Sequence, residues 1–259
     1  MLQSNKLKRA LADGKAVFGL INSIPSPLLV EMIGYAGYDF VILDMEHLSV
    51  NPETLENMVR AAECAGLTAL VRVPNAAPEA ILRALDCGAL GIVVPHVRNR
   101  AEAEQAVAAS RYYPLGSRGV SGGRTTGFGA IDLPTYFERA NAEIMVVVMI
   151  EDREGIDNLD EIVAVTGVDM VLEGAIDLSQ SYGVPGQAQH PDVQAAIAGI
   201  ATACDRHKVH FCAIPRAADQ LSRWQARGVQ AYLLGDDRSV SFRALKAHVS
   251  AMRNAEQGA

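Results

Sequence analysis

Glu151 and Asp177 each stand just past an apolar run that reads as a β-strand. Glu151 closes Ile144-Met145-Val146-Val147-Val148-Met149-Ile150, and Asp177 follows Val168-Asp169-Met170-Val171-Leu172 by a short turn. Carboxylates delivered from consecutive strand ends can converge on a hard divalent cation, which prefers carboxylate oxygens and water. Either acid alone would serve equally well as the cap of a following helix. A second group follows the strand Phe40–Leu43, in Asp44-Met45-Glu46-His47. An acid three residues before a histidine can orient the imidazole and fix its tautomer, which makes His47 a candidate general base and Asp44 its orienter. The plainer alternative is a loop histidine beside a helix-capping acid. Arg72, in Val71-Arg72-Val73-Pro74, places a cation in an apolar strand. Such a charge needs a partner or a polar pocket. It can bind a substrate carboxylate or a developing enolate oxygen, and it can equally be paired with Glu46 or Glu151. His96, Asp236 and Asp237 also follow strand patterns and read as structural, with Asp237 suited to contact a neighbouring subunit.

Eight strand-like runs are needed to hold these groups: Val17–Ile21, Phe40–Leu43, Ala69–Val73, Gly91–Val94, Ile144–Ile150, Met170–Leu172, His210–Ile214 and Ala231–Leu234. Between them the spacing predicts helices, among them Pro52–Ala65, Pro78–Asp86, Ala101–Ser110, Pro191–Asp205 and Ala218–Arg227. Pro52, Pro78 and Pro191 suit a first helical turn. Gly66, Gly88 and Gly228 suit helix ends. Eight strand-then-helix units without a break in composition predict one (β/α)8 barrel over residues 1–259, with a short N-terminal helix and a polar tail that frays after Met252. An open doubly wound sheet would want a GxGxxG turn after its first strand, and none is present. The glycine- and arginine-rich stretch Tyr112–Gly129 is expected to be a long functional loop on or along the catalytic side.

The 259 residues suit such a barrel, and 49% of them are hydrophobic, enough for a large core. No apolar stretch reaches bilayer length, and the N-terminus lacks a signal-peptide pattern. The reading is a soluble, cytoplasmic protein. A net charge of -7 without a basic stripe argues against nucleic acid and anionic membrane as partners. Cys64, Cys87, Cys204 and Cys212 form no CxxC pair and read as reduced thiols rather than zinc ligands.

Asp44-x-Glu46-His47, Arg72-Val73-Pro74, Arg111-Tyr112-Tyr113-Pro114-x-Gly116-x-Arg118-Gly119, Ile150-Glu151 and Gly174-x-x-Asp177-Leu178-Ser179 occur in that order. The set resembles the HpcH/HpaI aldolases, class II metal-dependent pyruvate aldolases related to citrate lyase β-subunits. The resemblance spans about Phe18 to Asp237. It implies a homo-oligomeric barrel in which Glu151 and Asp177 hold Mg²⁺ or a similar divalent cation, such as Mn²⁺ or Ca²⁺. It also implies that His47, oriented by Asp44, moves protons, and that Arg72 stabilises an enolate.

Three positions depart from the family pattern. Met149 stands where glutamine is usual, Gly174-Ala175-Ile176-Asp177 replaces Gly-Pro-Ala-Asp, and Arg124 stands where a smaller residue is common. A lost amide, added bulk and a new cation point to an altered substrate. A closer likeness, carried by Asn22-Ser23-Ile24-Pro25, Met149-Ile150-Glu151-Asp152, Glu173-Gly174-Ala175 and Leu234-Gly235-Asp236-Asp237-Arg238, is to the siderophore-biosynthesis citrate synthases of the staphyloferrin B type. It implies condensation of oxaloacetate with acetyl-CoA to give citrate. Gly174, Ala175, Ile176 and Met149 would then shape the substrate site. Arg72 or Arg124 would bind the second carboxylate. No motif marks a CoA site, and the charge of the loop around Arg118 and Arg124 alone makes it the candidate to meet CoA. The alternative is reversible cleavage of a 4-hydroxy-2-keto acid to pyruvate and an aldehyde.

Overall fold

A computed structural model describes residues 1–257. The eight strands are β1 (Val17–Asn22), β2 (Phe40–Asp44), β3 (Thr68–Arg72), β4 (Gly91–Val94), β5 (Met145–Ile150), β6 (Met170–Glu173), β7 (His210–Ala213) and β8 (Ala231–Asp236). They pair in parallel, each with the next, and β8 returns to β1, so the sheet closes into a barrel. The helices in chain order are α1 (Lys6–Ala12), α2 (Pro27–Tyr35), α3 (Pro52–Cys64), α4 (Pro78–Asp86), α5 (Arg100–Ser110), α6 (Leu133–Glu143), α7 (Arg153–Asp157), α8 (Leu159–Val163), α9 (Ala175–Ser181), α10 (Pro191–His207), α11 (Gln220–Ala226) and α12 (Asp237–Gln257). This is the (β/α)8 barrel that the sequence pattern predicts. Proline opens α2, α3, α4 and α10, where its missing N–H costs nothing. Gly66, Gly88 and Gly228 all adopt positive φ between a helix and the next strand.

Alternation along each strand sorts the side chains into two cores. Residues such as Val41, Val71, Val146 and Val148 face the helices, whereas Phe40, Ile42, Leu70, Val93, Val147 and Leu172 fill the barrel. Leu7 and Leu11 of α1 join the inner core, so this short helix plugs the N-terminal end of the barrel. Its N-cap, Asn5, is fully buried and donates to the carbonyls of Leu90 and Glu143.

Two features differ from expectation. The Tyr112–Gly129 segment follows a helix, α5, and leads through α6 into β5. A connection that runs from helix to strand lies at the N-terminal end of the barrel, opposite the presumed catalytic side. Its contacts agree: Arg118 Nη2 donates to Asp86 at the end of α4 (2.8 Å), and Thr125 accepts the Leu2 N–H (2.8 Å). The polar tail expected to fray after Met252 is helical as far as Gln257, where α12 ends, and residues 258–259 lie outside the described residues. No helix among the described residues is long and apolar enough to cross a membrane.

Gly19 faces inward beside its register partner Phe40, and a Cβ there would lie 2.2 Å from the ring. Gly19→Ala should therefore overpack the inner core and lower stability by about 1–3 kcal/mol, read as a shift in the urea midpoint.

Candidate active site

The inward positions of β2 and β3 continue the sequence Phe40, Ile42, Asp44 and Leu70, Arg72, and the sheet register sets Asp44 beside Arg72. Arg72 Nε donates to Asp44 Oδ1 at 2.9 Å and Nη2 to Oδ2 at 2.8 Å, a bidentate clamp. Arg72 Nη1 lies 3.1 Å from Glu46 Oε2. Burial works against both charges, yet Asp44, Glu46 and Glu151 hold the Arg72 guanidinium above its usual pKa. Burial likewise opposes the Asp44 charge, but Arg72 and the N–H groups of Glu46 and His47 keep its carboxyl below the usual range. This corrects the expected role of Asp44. Its carboxylate grips Arg72 and reaches His47 only through the main chain, at 3.5 Å, rather than touching the ring. The His47 imidazole stands half-exposed on the rim, with Nε2 3.6 Å from Glu46 Oε2.

On β5 the inward series Met145, Val147, Met149 ends at Glu151. Met149 is buried and belongs to the apolar floor, one layer beneath the carboxylate. Glu151 Oε1 accepts the His96 backbone N–H at 2.9 Å. Its Oε2 abuts the main chain of Gly174, where a Cβ would come within 2.3 Å. Burial pushes the Glu151 carboxyl up to about 7; the His96 N–H and imidazole oppose this, while Glu46 and Asp177 add to it. Asp177 is half-exposed in the first turn of α9, close enough for its charge to act on Glu151.

His96 takes a larger part than its sequence position suggested. It adopts φ +53°, a left-handed conformation that is uncommon for a residue with a side chain. Its Nδ1 lies 3.0 Å from Asp152 Oδ2, which also accepts from Arg98 Nε at 3.0 Å. Its Nε2 is directed to Glu46 Oε1 at 3.5 Å. Burial disfavours the imidazolium, but Glu151, Asp152 and Glu46 together raise its pKa. Glu46, His96 and Glu151 offer three donor atoms within 4.8 Å of one another. The donor set is carboxylate-rich, its Glu151 carboxyl is pushed up by burial, and the missing side chain of Gly174 gives that carboxylate its room. Those properties fit a hard divalent cation. This cluster joins Glu151 to Glu46 and His96 and does not include Asp177, the partner the sequence suggested, whose charge nonetheless acts on Glu151. Asp152 and Glu46 were both legible as neighbours of named residues. The role of His96 was hidden, because it depends on a backbone turn.

Other expected residues sit elsewhere. Arg124 is at the opposite end of the barrel, where it pairs with Glu63 and donates to the Cys87 carbonyl at 3.3 Å. The reason is the helix-to-strand connection that carries it, and the same reason removes Arg118 from the mouth. The Ala175 methyl is buried in the outer core, so only its N–H, donated to Glu173 Oε2 at 3.0 Å, belongs to the site's frame. Ile176 projects from the rim, 54% exposed. Asp237 is buried and accepts from Asn22 Nδ2 (2.6 Å) and Ser23 N (2.8 Å), tying β8 to β1.

Residues 18–244 match the model of the HpcH/HpaI aldolase/citrate lyase family. The chain belongs to this family. It is 40% identical over 204 residues to a 5-keto-4-deoxy-D-glucarate aldolase of Shigella sonnei (strain Ss046), covering 78% of this chain and 79% of that one. Among solved structures, the citrate synthase SbnG superposes with a TM-score of 0.91 at 43% identity, over 97% of this chain and 98% of the other. An HpcH/HpaI aldolase from Desulfitobacterium hafniense DCB-2 superposes with a TM-score of 0.89 at 32% identity, over 96% and 97%. The chain is therefore an enzyme of the HpcH/HpaI family, with aldolase and citrate synthase relatives alike.

A cation entering this site must displace the Glu151 proton below about pH 7. Mn²⁺ affinity, measured by calorimetry, should rise about tenfold per pH unit up to that point and level off above it. Without metal the sign is the reverse for stability. Because the folded pKa is raised, the Glu151 contribution is present at low pH and is lost as pH rises through about 7. Melting temperature in chelator should fall across that window, and added Mn²⁺ should restore it.

Proposed function

We propose that this enzyme condenses oxaloacetate with acetyl-CoA to give citrate and free CoA, as a citrate synthase of carboxylate-siderophore assembly. The observation that carries the reading is the likeness to citrate synthase SbnG over nearly the whole of both chains. Met149 and Ile176, which depart from the usual aldolase pattern at the floor and rim, are consistent with it. Glu151 and Asp177 would hold Mg²⁺ or a similar divalent cation, with Glu46 and His96 lining the same corner. That ion, when bound, would polarise the keto group of a 2-keto acid and offset the charge of its carboxylate.

The side chains divide the remaining work. His47, on the open rim, takes a proton from the acetyl methyl group, and the resulting carbanion attacks the keto carbon. Arg72, fixed by Asp44 and Glu46, keeps only the second hydrogens of Nη1 and Nη2 to offer, enough for the single oxygen on which charge develops. That oxygen takes up a proton, and water then cleaves the thioester, releasing CoA thiol and a third carboxylate. The buried floor of Met149 and Leu172 keeps the inner wall of the pocket dry. A second reading, aldol cleavage of a keto-deoxy sugar diacid, is favoured by the 40% identity to the Shigella sonnei aldolase. It would use the same residues in the reverse sense.

Thiol release from acetyl-CoA that depends on oxaloacetate and stops with chelator, with citrate identified by mass spectrometry, is the expected result. Glu151→Gln and Asp177→Asn should each lower turnover by about a hundredfold or more. Pyruvate release from hydroxy-keto acids without any thiol release would return the enzyme to the aldolases.

We also propose a homo-oligomer in the cytoplasm. The principal contacts of α12 with its own chain are to β1 and β8, and it leaves Phe242, Leu245, Val249 and Met252 exposed at helical spacing. Leu28, Met32 and Tyr35 form a similar exposed face on α2. Apolar faces of this kind are buried when copies associate. The double change Leu245→Asp and Val249→Asp should shift the mass measured by light scattering towards the monomer.

A further inference from the structure

With Arg124 at the far end of the barrel, the far carboxylate of a diacid lacks the partner that the sequence suggested. Arg72 is a poor substitute. Its Nε and Nη2 are clamped by Asp44, and its Nη1 faces Glu46. A different arginine stands at the mouth, just past β7. Arg216 Nη1 donates to Glu173 Oε1 at 2.6 Å and to the Ile214 carbonyl at 3.0 Å. Glu173 is 2% exposed, an acid buried at the end of β6. It also accepts the N–H groups of Ile214 (3.1 Å) and Ala175 (3.0 Å), so this carboxylate locks the arginine to the β6 and β7 strand ends. Gln220, itself buried, fixes the main chain of the same turn by accepting from Arg216 N at 2.6 Å and Ala217 N at 3.2 Å. Among the described residues, Nε and Nη2 of Arg216 have no partner. That edge of a guanidinium matches a carboxylate through two parallel hydrogen bonds.

The position relative to the metal corner follows from the chain. Glu173 precedes Gly174, whose main chain abuts Glu151, and α9 starts at Ala175 and carries Asp177 in its first turn. Arg216 is thus tied to the end of β6, the strand that lies between β5, which ends at Glu151, and β7, and whose following helix carries Asp177. We propose that Arg216 receives the distal carboxylate of a dicarboxylic 2-keto acid whose keto-acid end is bound at Glu151 and Asp177. The inference rests on the keto-acid reading of the site given above. It makes the enzyme selective for diacids over pyruvate-like monoacids, and Arg216 the residue that sets that selectivity. Glu173 is a positioning residue that acts through Arg216.

Calorimetric titration of the Mg²⁺-loaded protein with oxaloacetate, pyruvate and CoA tests this. Wild type should bind oxaloacetate at least about tenfold more tightly than pyruvate. Arg216→Gln should lose about ten- to a hundredfold in oxaloacetate affinity, the range for a charge-assisted hydrogen bond, with pyruvate and CoA affinity unchanged. Arg216→Lys should retain part of the preference. The double change Glu173→Gln and Arg216→Gln leaves no buried acid unpaired, and it should show the same selective loss in a protein that still melts cooperatively. The inference is overturned by unchanged oxaloacetate affinity in both glutamine variants, by equal losses for both keto acids, or by a loss confined to CoA. Arg216-dependent oxaloacetate binding in an enzyme that forms no citrate would uphold this inference and remove the synthase reading.

Discussion

Charge balance at the mouth of the barrel constrains everything around it. Asp44, Glu46, Glu151 and Asp177 gather above a core of hydrocarbon, and the Arg72 guanidinium is bound directly to two of them. In a medium of low polarity, like charges at such spacing cannot all ionise freely. The strain is divided unevenly. Asp44 is held as the anion by its bidentate partner, whereas Glu151, which among the described residues has no arginine within hydrogen-bonding distance, is pushed up by burial to about 7. Removing Arg72 would leave Asp44 fully buried and unpaired, a cost of about 3–5 kcal/mol. The clamp is therefore part of the architecture as well as of the chemistry. An added divalent cation would complete the balance, and the carboxylate nearest to it is the one most in need of positive charge.

Much of this was legible in the chain. Apolar runs of three to seven residues between helical stretches specified all eight strands, because short apolar runs, proline helix starts and glycine helix ends are local signals. The acids at strand ends were legible for the same reason, since a residue just past a barrel strand has only one place to go. What remained hidden depends on which end a connection serves. Arg124 and Arg118 lie in a glycine-rich loop of functional appearance, yet their loop follows a helix and so belongs to the plugged end. His96 was hidden by its backbone, because a left-handed φ turns the imidazole into the pocket and frees its N–H for Glu151. Arg216 was hidden because its significance comes from Glu173, 43 residues away in sequence and joined to it only by the register of β6 and β7.

The two ends of the barrel carry separate duties. At one, α1, Asn5 and the Tyr112–Gly129 segment close the inner core against solvent and pin the chain start. At the other, strand ends hold charges in a fixed ring, with Asn22 and Asp237 closing the seam between β8 and β1. The (β/α)8 plan permits this division because the strands that join the two ends are rigid and their interiors are filled.

The contact between Gly174 and Glu151 has an evolutionary corollary. With only 2.3 Å between the would-be Cβ and the carboxylate oxygen, position 174 admits no side chain without evicting the acid. Two residues further on, Ile176 points into solvent and meets no such obstacle. Divergence among descendants of this fold is thus channelled: the corner that would seat the cation is frozen, and substrate preference is left to drift along the rim.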